Sequence, residues 1–260
     1  MRSVLWLLCS VFTVICQASD RQREADYAAD IGRNLHVGEV LWLEAQGEKF
    51  LGLYSETERQ KEVGAALIVH DMGGQPDKHY VVHALRTLLP EHRWATLALQ
   101  MPLREAGAPV GDYYTLFPEA LARIQAGIDY LQAGQPRNIV LIGYGLGSLL
   151  ALQYQSTHPD SGISALVAIS LPVPDNTGEA VQPLDFLRKI DLPLLDIYAS
   201  LDLPEVVGSA RKRRLAAKGN ASYRQVRIDD HGHQFQHDQG LLVKRIYSWL
   251  HKVAAQGGPE

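Results

Sequence analysis

The sequence has little cysteine: two residues in 260, Cys9 and Cys16. Both lie in an N-terminal segment that we predict to be removed on export, so the mature chain would carry no thiol. A mature chain without cysteine can form no disulfide, use no cysteine nucleophile and bind no metal through thiolates. These three kinds of chemistry are therefore excluded from the predicted mature protein.

Long hydrophobic runs are also scarce, and the most prominent one is at the N-terminus. Arg2 precedes an apolar run over residues 4–16, and the polar part of the chain begins at Ser19. A basic residue, a short apolar core and small residues in this order are typical of a secretory signal peptide. The run is too short to cross a bilayer comfortably, which takes about 20 residues. We predict a signal peptide over residues 1–18 and no membrane span after its removal; the alternative is a retained anchor.

The chain also lacks an excess of positive charge. Its formal net charge is −4, and a nucleic-acid partner usually needs a basic face. The basic run is Arg211-Lys212-Arg213-Arg214, which we interpret as a solvated helix face, with an anionic surface or ligand as the alternative. We therefore predict no nucleic-acid partner.

What the chain does contain is a regular alternation of short apolar strands and amphipathic helices. Two extended runs around Gln46-Gly47 predict a β-hairpin, and the following segments alternate between strand and helix as far as about residue 253. Such alternation predicts a mostly parallel sheet with helices on both faces. We expect a polar N-terminal arm over residues 19–37 and a single α/β domain over residues 38–256. The longest loops, 102–114 and 172–185, leave room for a minimal lid only.

One strand–turn–helix segment, "NIVLIGYGLGSLLALQY" (138–154), resembles the corner at which serine hydrolases carry their nucleophile. In those enzymes the corner reads G-x-S-x-G, whereas here Gly145 stands in the central position. A dinucleotide-binding turn is disfavoured because the spacing is G-x-G-x-G. Ser148 lies almost one helical turn further on, and Tyr144 precedes the corner, so neither is a good substitute for the missing serine.

Further candidate residues lie where predicted strands end, which is where open α/β sheets bind ligands. The turn "HDMGG" (70–74) follows a buried strand and can supply half of an oxyanion hole, although it can also be a simple tight turn. Asp202 follows another strand and can orient a histidine; alternatively it caps the next helix. His233, in "DDHGHQFQH", is the best general-base candidate, and we expect the neighbouring His231 and His237 to be surface residues. We predict no metal site and no cofactor.

Taken together, these segments resemble the α/β-hydrolase superfamily over residues 40–253. Within it the chain is similar to an exported proteobacterial family of unknown function, through the stretches "EKFLGLYSE", "ALIVHDMGG", "RWATLALQMP", "YTLFPEALARI" and "NIVLIGYGLGSLLALQY". The resemblance implies a periplasmic location and a glycine at the nucleophile position, Gly145. It matches Asp202 to the acid, His233 to the base, and Met72 and Leu146 to the two backbone oxyanion donors. Gly73 and Tyr144, which neighbour these residues in the sequence, are further candidates for ligand binding. Asp71 departs from the superfamily pattern, which commonly has glycine there.

Two functional hypotheses follow from this set of residues. In the first, the protein is a non-catalytic pseudo-hydrolase that binds a small molecule or a periplasmic or envelope protein in the vacated pocket. In the second, a His233–Asp202 dyad still acts as a general base beside the oxyanion hole, in a hydrolase- or lyase-type enzyme. A serine-esterase mechanism is disfavoured under both hypotheses, because it needs a hydroxyl at the corner.

Overall fold

The computed structural model describes residues 19–57, 62–174 and 181–256, and these form an eight-stranded sheet flanked by helices. The predicted signal peptide lies outside the described residues. The strands are β1 (Glu39–Ala45), β2 (Glu48–Ser55), β3 (Gly64–Val69), β4 (Trp94–Leu99), β5 (Ile139–Tyr144), β6 (Ile163–Ile169), β7 (Leu194–Leu201) and β8 (Tyr223–Gly232). The helices are α1 (Arg21–Asn34), α2 (Val81–Leu88), α3 (Val110–Tyr113), α4 (Phe117–Ala133), α5 (Leu146–Thr157), α6 (Pro183–Lys189), α7 (Pro204–Val207), α8 (Ala210–Ala216) and α9 (Gln239–Gln256).

The strand order is β1-β2-β4-β3-β5-β6-β7-β8, with parallel pairing from β4 through β8. The hairpin of β1 and β2 adds the antiparallel edge that the sequence predicts. Its turn residues Gln46 and Gly47 have φ angles of 53° and 78°, the positive values that a two-residue hairpin turn requires at both positions. The predicted α/β-hydrolase-like sheet is therefore confirmed.

The central strands are apolar on both faces because helices cover both faces. All six residues of β3 are buried, and alternate residues point to opposite sides. Leu67 and Val69 pack with α4 and α5, whereas Ala66 and Ile68 pack with α2 and α9. Two apolar layers of this kind explain why continuous apolar runs, rather than alternating ones, mark the central strands.

The polar segment predicted as an arm contains helix α1, which is attached to the domain by buried charge. Asp20 caps the helix by accepting a hydrogen bond from the Arg23 backbone N–H at 3.0 Å. Glu24 pairs with Arg123 of α4 at 2.8 Å, and Arg123 is 1% exposed. Ile31 is buried in the core. Helix α1 is thus packed on the hydrolase-like domain, close to the strand ends that carry the candidate site.

Two features of the fold differ from the sequence-based expectations. Helix α6 lies partly within the predicted loop 172–185, of which residues 175–180 are outside the described ranges. Arg213, predicted on a solvated basic face, is instead fully buried, because Asp196 on β7 supplies a carboxylate 2.8 Å from its Nε. A buried charge of this kind is retained only when it is paired and hydrogen-bonded.

Within the described ranges, no helix is both long enough and apolar enough to cross a bilayer.

Candidate functional site

The glycine-rich corner between β5 and α5 forms a tight backbone crossing. A Cβ atom on Gly143 would lie 2.3 Å from the Gly147 carbonyl oxygen, and one on Gly147 would lie 2.4 Å from the Val69 carbonyl oxygen. These positions accept glycine only. Gly145 has φ +55° and ψ −121°, a conformation that strains L-amino acids but not glycine. The corner therefore keeps the sharp shape of a nucleophile-bearing turn.

The two residues considered as substitutes for serine are both committed to structural bonds. The Ser148 hydroxyl is fully buried and donates to the Gly145 carbonyl oxygen at 2.6 Å. The Tyr144 hydroxyl donates to the His233 carbonyl oxygen at 3.1 Å, and the two rings stack 5.0 Å apart. Burial and the nearby carboxylates of Asp71 and Asp202 raise the pKa of Tyr144 far above its usual range. Tyr144 therefore helps to hold His233 in place, through this hydrogen bond and the ring stacking.

Asp202 and His233 meet at the carboxyl ends of β7 and β8. Their side chains are joined by a 2.7 Å contact between Asp202 Oδ1 and His233 Nδ1. Asp202 also accepts hydrogen bonds from the Ser170 hydroxyl at 2.5 Å and the Leu203 backbone N–H at 2.9 Å. Burial opposes its ionisation, but these donors outweigh burial and lower the pKa of Asp202 below its usual value. The predicted acid and base positions thus form a close, ionised pair.

The third member of the site is Asp71, whose carboxylate fills the space in front of Gly145. Asp71 Oδ1 accepts hydrogen bonds from the backbone N–H groups of Met72 and Leu146, each at 2.7 Å. Asp71 Oδ2 lies 3.0 Å from His233 Nε2. A Cβ atom built on Gly145 would stand only 2.0 Å from Asp71 Oδ1. The two N–H groups that the sequence analysis assigns to an oxyanion hole are therefore bound to a side chain of the protein itself.

This arrangement corrects the expectation of a vacated pocket. From the sequence, Asp71 is expected only to alter the shape of the oxyanion turn, and Gly145 is expected to leave free space in front of it. The structure instead places the Asp71 carboxylate in that space, because the missing side chain at residue 145 removes the obstacle to it. The sequence feature that could have indicated this position of the carboxylate is the joint occurrence of aspartate at residue 71 and glycine at residue 145.

His233 lies between two carboxylates and is held in its cationic form. Both ring nitrogens face carboxylate oxygens, which can only accept, so both nitrogens must donate. Burial lowers the pKa of His233, but the hydrogen bonds to Asp202 and Asp71 outweigh it and raise that pKa to about 9. At neutral pH His233 is therefore an imidazolium, with no lone pair available to accept a proton.

His70 fixes the backbone that carries Asp71. It is buried, and its Nε2 accepts a hydrogen bond from the Met101 N–H at 2.9 Å. Its Nδ1 therefore carries the proton and donates to the Asp71 carbonyl oxygen at 2.7 Å. Burial lowers the pKa of His70 to about 4, so the ring stays neutral. His70 is a positioning residue that sequence reasoning noticed only as part of a turn.

Gly73, predicted as a ligand-binding neighbour, lies on the same loop and connects it to α1. It has φ +65°, and its carbonyl oxygen accepts from Arg23 Nη2 at 3.3 Å. Arg23 also donates to the Arg104 carbonyl oxygen at 2.8 Å. The N-terminal helix thereby tethers the loop that presents Asp71.

Two cavities meet at Asp71. One is a narrow cavity of about 20 Å³ with an apolar wall that includes Leu116, Phe117 and Leu150, and it has room for about one water molecule. The other, which we call the open pocket, has a volume of about 320 Å³ and is lined by Asp71, Met72, Gly73, Gly74, Lys78, His79, Tyr80, Val82, Tyr144, His233 and Gln234. The open pocket is the one that can hold a small organic molecule beside the carboxylate.

The neighbouring histidines differ from expectation in part. His231 was predicted at the surface but is buried, because its Nδ1 bonds to the Asp229 carbonyl oxygen at 2.8 Å and its ring packs near Phe235. His237 is exposed, as predicted. Among the residues that the structure describes, no cluster of three or more histidine, cysteine or acidic side chains has metal-binding geometry.

The chain matches the model of one protein family. The model of a family described as "Protein of unknown function (DUF3530)" matches residues 15–121 and 114–252. No curated protein sequence matches the chain.

Several solved structures resemble the chain in fold. Est1E from Butyrivibrio proteoclasticus has a TM-score of 0.66 at 16% identity, over 83% of this chain and 99% of that one. An alpha-beta serine hydrolase homologue from Coxiella burnetii has a TM-score of 0.64 at 14% identity, over 82% and 98%. Esterase Pf2001 from Pyrococcus furiosus has a TM-score of 0.66 at 15% identity, over 82% and 89%. Likeness at this level of identity shows the α/β-hydrolase fold and nothing finer.

Proposed function

This chain belongs to the DUF3530 family, and we propose that it is a periplasmic, non-catalytic binding protein of α/β-hydrolase fold that performs no serine-dependent acyl transfer. Its ligand site is the open pocket beside Asp71. The N-terminal pattern of charge, apolar core and small residues supports export to the periplasm. The site itself supports the absence of serine chemistry.

The observation that carries the proposal is the position of the Asp71 carboxylate. Acyl transfer through serine needs a hydroxyl at residue 145 and two free N–H donors for the oxyanion. Residue 145 has no side chain, and both N–H donors are bound to Asp71 Oδ1. An ester carbonyl would have to displace an ionic network of two carboxylates and an imidazolium. The resting site is therefore closed to ester substrates.

The pocket chemistry supports binding of a small ligand with an anionic or hydrogen-bond-accepting group. Lys78 and His79 provide donors at the rim, and Gln234 provides an amide. Tyr80 and Met72 are each 42% exposed there and offer apolar contact area. A volume of about 320 Å³ falls in the usual range for small-molecule sites.

The general-base alternative has support in the 2.7 Å contact between Asp202 and His233. The resting dyad, however, faces Asp71 rather than water, and the imidazolium has no free lone pair. General-base catalysis by His233 therefore requires that the negative charge of Asp71 first be removed. In the resting state, binding is the function that the geometry favours.

The test compares ester hydrolysis by the mature wild-type protein and by the His233→Ala variant, using p-nitrophenyl acetate and p-nitrophenyl butyrate. We expect neither protein to raise the rate above that of the buffer alone. Wild-type turnover that disappears in His233→Ala would overturn the proposal. Native mass spectrometry of periplasmic protein gives the second readout: a co-purified small molecule is expected on the wild type and weaker retention on Tyr80→Ala, with Val110→Ala as an exposed apolar control outside the pocket.

A further inference from the structure

Positive charge is concentrated in one part of the chain. Residues 206–228 contain seven basic residues and no acidic residue, although the whole chain has a formal net charge of −4. One of the seven, Arg213, is buried and paired with Asp196. The other six are exposed: Arg211, Lys212, Arg214, Lys218, Arg224 and Arg227. A protein with a net negative charge therefore carries one strongly positive region on its surface.

Helix α8 and the turn after it arrange part of this charge in a line. The helix is followed directly by a 3₁₀ turn, Ala217–Gly219. Residues spaced i, i+3, i+4 and i+7 lie on one face of a helix, and four outward-facing residues have this spacing. We call these four residues the basic stripe: Arg211, Arg214, Leu215 and Lys218. Leu215 is 57% exposed, so a large apolar side chain stands between the cations.

The protein itself does not neutralise the cations of the basic stripe. No ion pair or hydrogen bond joins Arg211, Arg214 or Lys218 to a carboxylate of the described residues. By contrast, the exposed Arg33 contacts Asp30 at 3.6 Å. Like charges three and four residues apart on a helix repel each other. An anionic partner would remove this repulsion, so the stripe is complementary to a negatively charged surface.

We infer that the basic stripe docks the protein onto an anionic phospholipid bilayer. The headgroup phosphates supply the missing negative charge, and each basic residue near such a surface strengthens binding about fivefold. Leu215 favours a bilayer over an acidic polypeptide, because its exposed side chain can enter the apolar edge of the headgroup layer. The aliphatic parts of the neighbouring Arg and Lys side chains can lie along the same layer while their charges stay in water.

The charge on the rest of the molecule restricts docking to this one face. All 29 acidic residues of the chain lie outside residues 206–228. An anionic bilayer repels surfaces of this charge, and at moderate salt the repulsion reaches about 8–10 Å. The protein is therefore held in one orientation, with α8 towards the lipid.

Docking through the basic stripe leaves the open pocket accessible. Helix α8 packs on α6, and its Ala216 belongs to the apolar layer that includes α4 and α5. Val82, in the wall of the open pocket, belongs to the opposite layer with α2 and α9. The bilayer and a small ligand thus lie on different sides of the sheet, and the inference goes beyond the proposed function without depending on it.

Flotation of lipid vesicles with the mature protein tests the inference. The mature protein is used because the apolar run of residues 4–16 would itself bind lipid. The vesicles contain phosphatidylcholine alone or with about one third phosphatidylglycerol, an anionic lipid. We expect binding to the anionic vesicles only. This binding should weaken by more than about 10-fold between about 0.1 M and about 0.5 M NaCl, because salt screens the charges.

Charge-removing variants locate the binding surface. The stripe variant combines Arg211→Gln, Arg214→Gln and Lys218→Gln. Loss of three cations should weaken binding on the order of 100-fold. The matched control removes three exposed cations of α9 instead, and it combines Lys244→Gln, Arg245→Gln and Lys252→Gln. We expect the control to change binding by less than about threefold, because those charges lie beyond the reach of the bilayer field.

A separate variant, Leu215→Gln, tests the apolar contact. It should weaken binding about 10-fold, because the lost apolar contact no longer contributes, and it should leave the salt dependence unchanged. Poly-L-glutamate serves as the competing anionic partner. Circular dichroism checks that each variant is folded.

Three results would each overturn the inference: no binding to the anionic vesicles, equal binding to phosphatidylcholine vesicles, or equal weakening by the two triple variants. Equally tight binding of poly-L-glutamate that Leu215→Gln leaves unchanged would replace the bilayer by an acidic polypeptide. The p-nitrophenyl ester test and the search for a co-purified small molecule do not involve the basic stripe. Failure of the docking inference is therefore distinguishable from failure of the proposed function.

Discussion

Replacing Gly145 by serine restores the residue that serine chemistry would require, and we expect it to destabilise the protein rather than to activate it. The new Cβ would lie 2.0 Å from Asp71 Oδ1 and 2.1 Å from Asp71 Cγ. Such contacts cannot persist, so the Asp71 carboxylate must leave its two N–H donors and His233. The φ of +55° adds backbone strain for any L-residue.

The expected size of the effect follows from these two terms. A non-glycine residue in a sparsely populated backbone region costs about 1–3 kcal/mol. Loss of charge-assisted hydrogen bonds adds about 1.5–3 kcal/mol, part of which water recovers at this partly exposed site. We therefore expect Gly145→Ser to lower the free energy of unfolding by about 2–4 kcal/mol. For a chain of this length that corresponds to a fall in Tm of about 5–15 °C.

The matched control is Gly107→Ser. Gly107 also has a positive φ, +84°, but nothing lies within 4 Å of its Cβ position, so this variant carries the backbone strain alone. Asp71→Ala in the Gly145→Ser background removes the clashing atoms and should restore about 1–3 kcal/mol relative to the sum of the single changes, the usual coupling between contacting residues. Urea unfolding followed by circular dichroism measures five proteins: the wild type, Gly145→Ser, Gly107→Ser, Asp71→Ala and the double variant. Equal stability of the Gly145 and Gly107 variants, or strictly additive effects in the double variant, would refute the steric reasoning.

Three further outcomes are expected. By NMR titration His233 should show a pKa near 9 that falls by more than one unit in Asp71→Asn; an unchanged value would show that the two side chains do not interact in solution. Since this folded-state pKa exceeds the usual 6.5, protonated His233 stabilises the protein fully below about pH 6.5, and this stabilisation is lost as pH rises towards 9. Urea midpoints should therefore fall over that window in the wild type and stay flat in His233→Gln. Arg123→Met should cost about 3–5 kcal/mol because it leaves the buried Glu24 carboxylate with Arg21, 3.7 Å away and partly exposed, as its remaining charge partner. The exposed Arg33→Met should change the free energy of unfolding by less than a tenth of that.

Much of the fold could be predicted because the determining signals are local. Continuous apolar runs, glycine at the β5–α5 corner and the alternation of strands and helices fixed the layers and the antiparallel edge. The chain order of Gly145, Asp202 and His233 also pointed to one end of the sheet, since the carboxyl ends of parallel strands share an edge. These inferences need only periodicity and the position of residues within elements.

Burial of charged and polar residues was harder to predict, because it depends on partners far away in the sequence. The buried state of Arg213 requires Asp196, and the attachment of α1 requires Arg123 to reach Glu24. His231, near the end of β8, is instead buried by local contacts, with its ring near Phe235. For the two arginines the residue type alone favours the surface, and only a specific partner in the folded chain reverses that preference.

The sequence by itself determined that residue 145 has no side chain and that a carboxylate follows β3 at residue 71. Only the tertiary structure decided that these two facts are one feature. Strands β3 and β5 are neighbours in the sheet, so their following loops meet, and Asp71 reaches the Leu146 N–H across 75 residues of sequence. A side chain enters that space because glycine leaves it open and because two N–H donors and an imidazolium compensate its charge there.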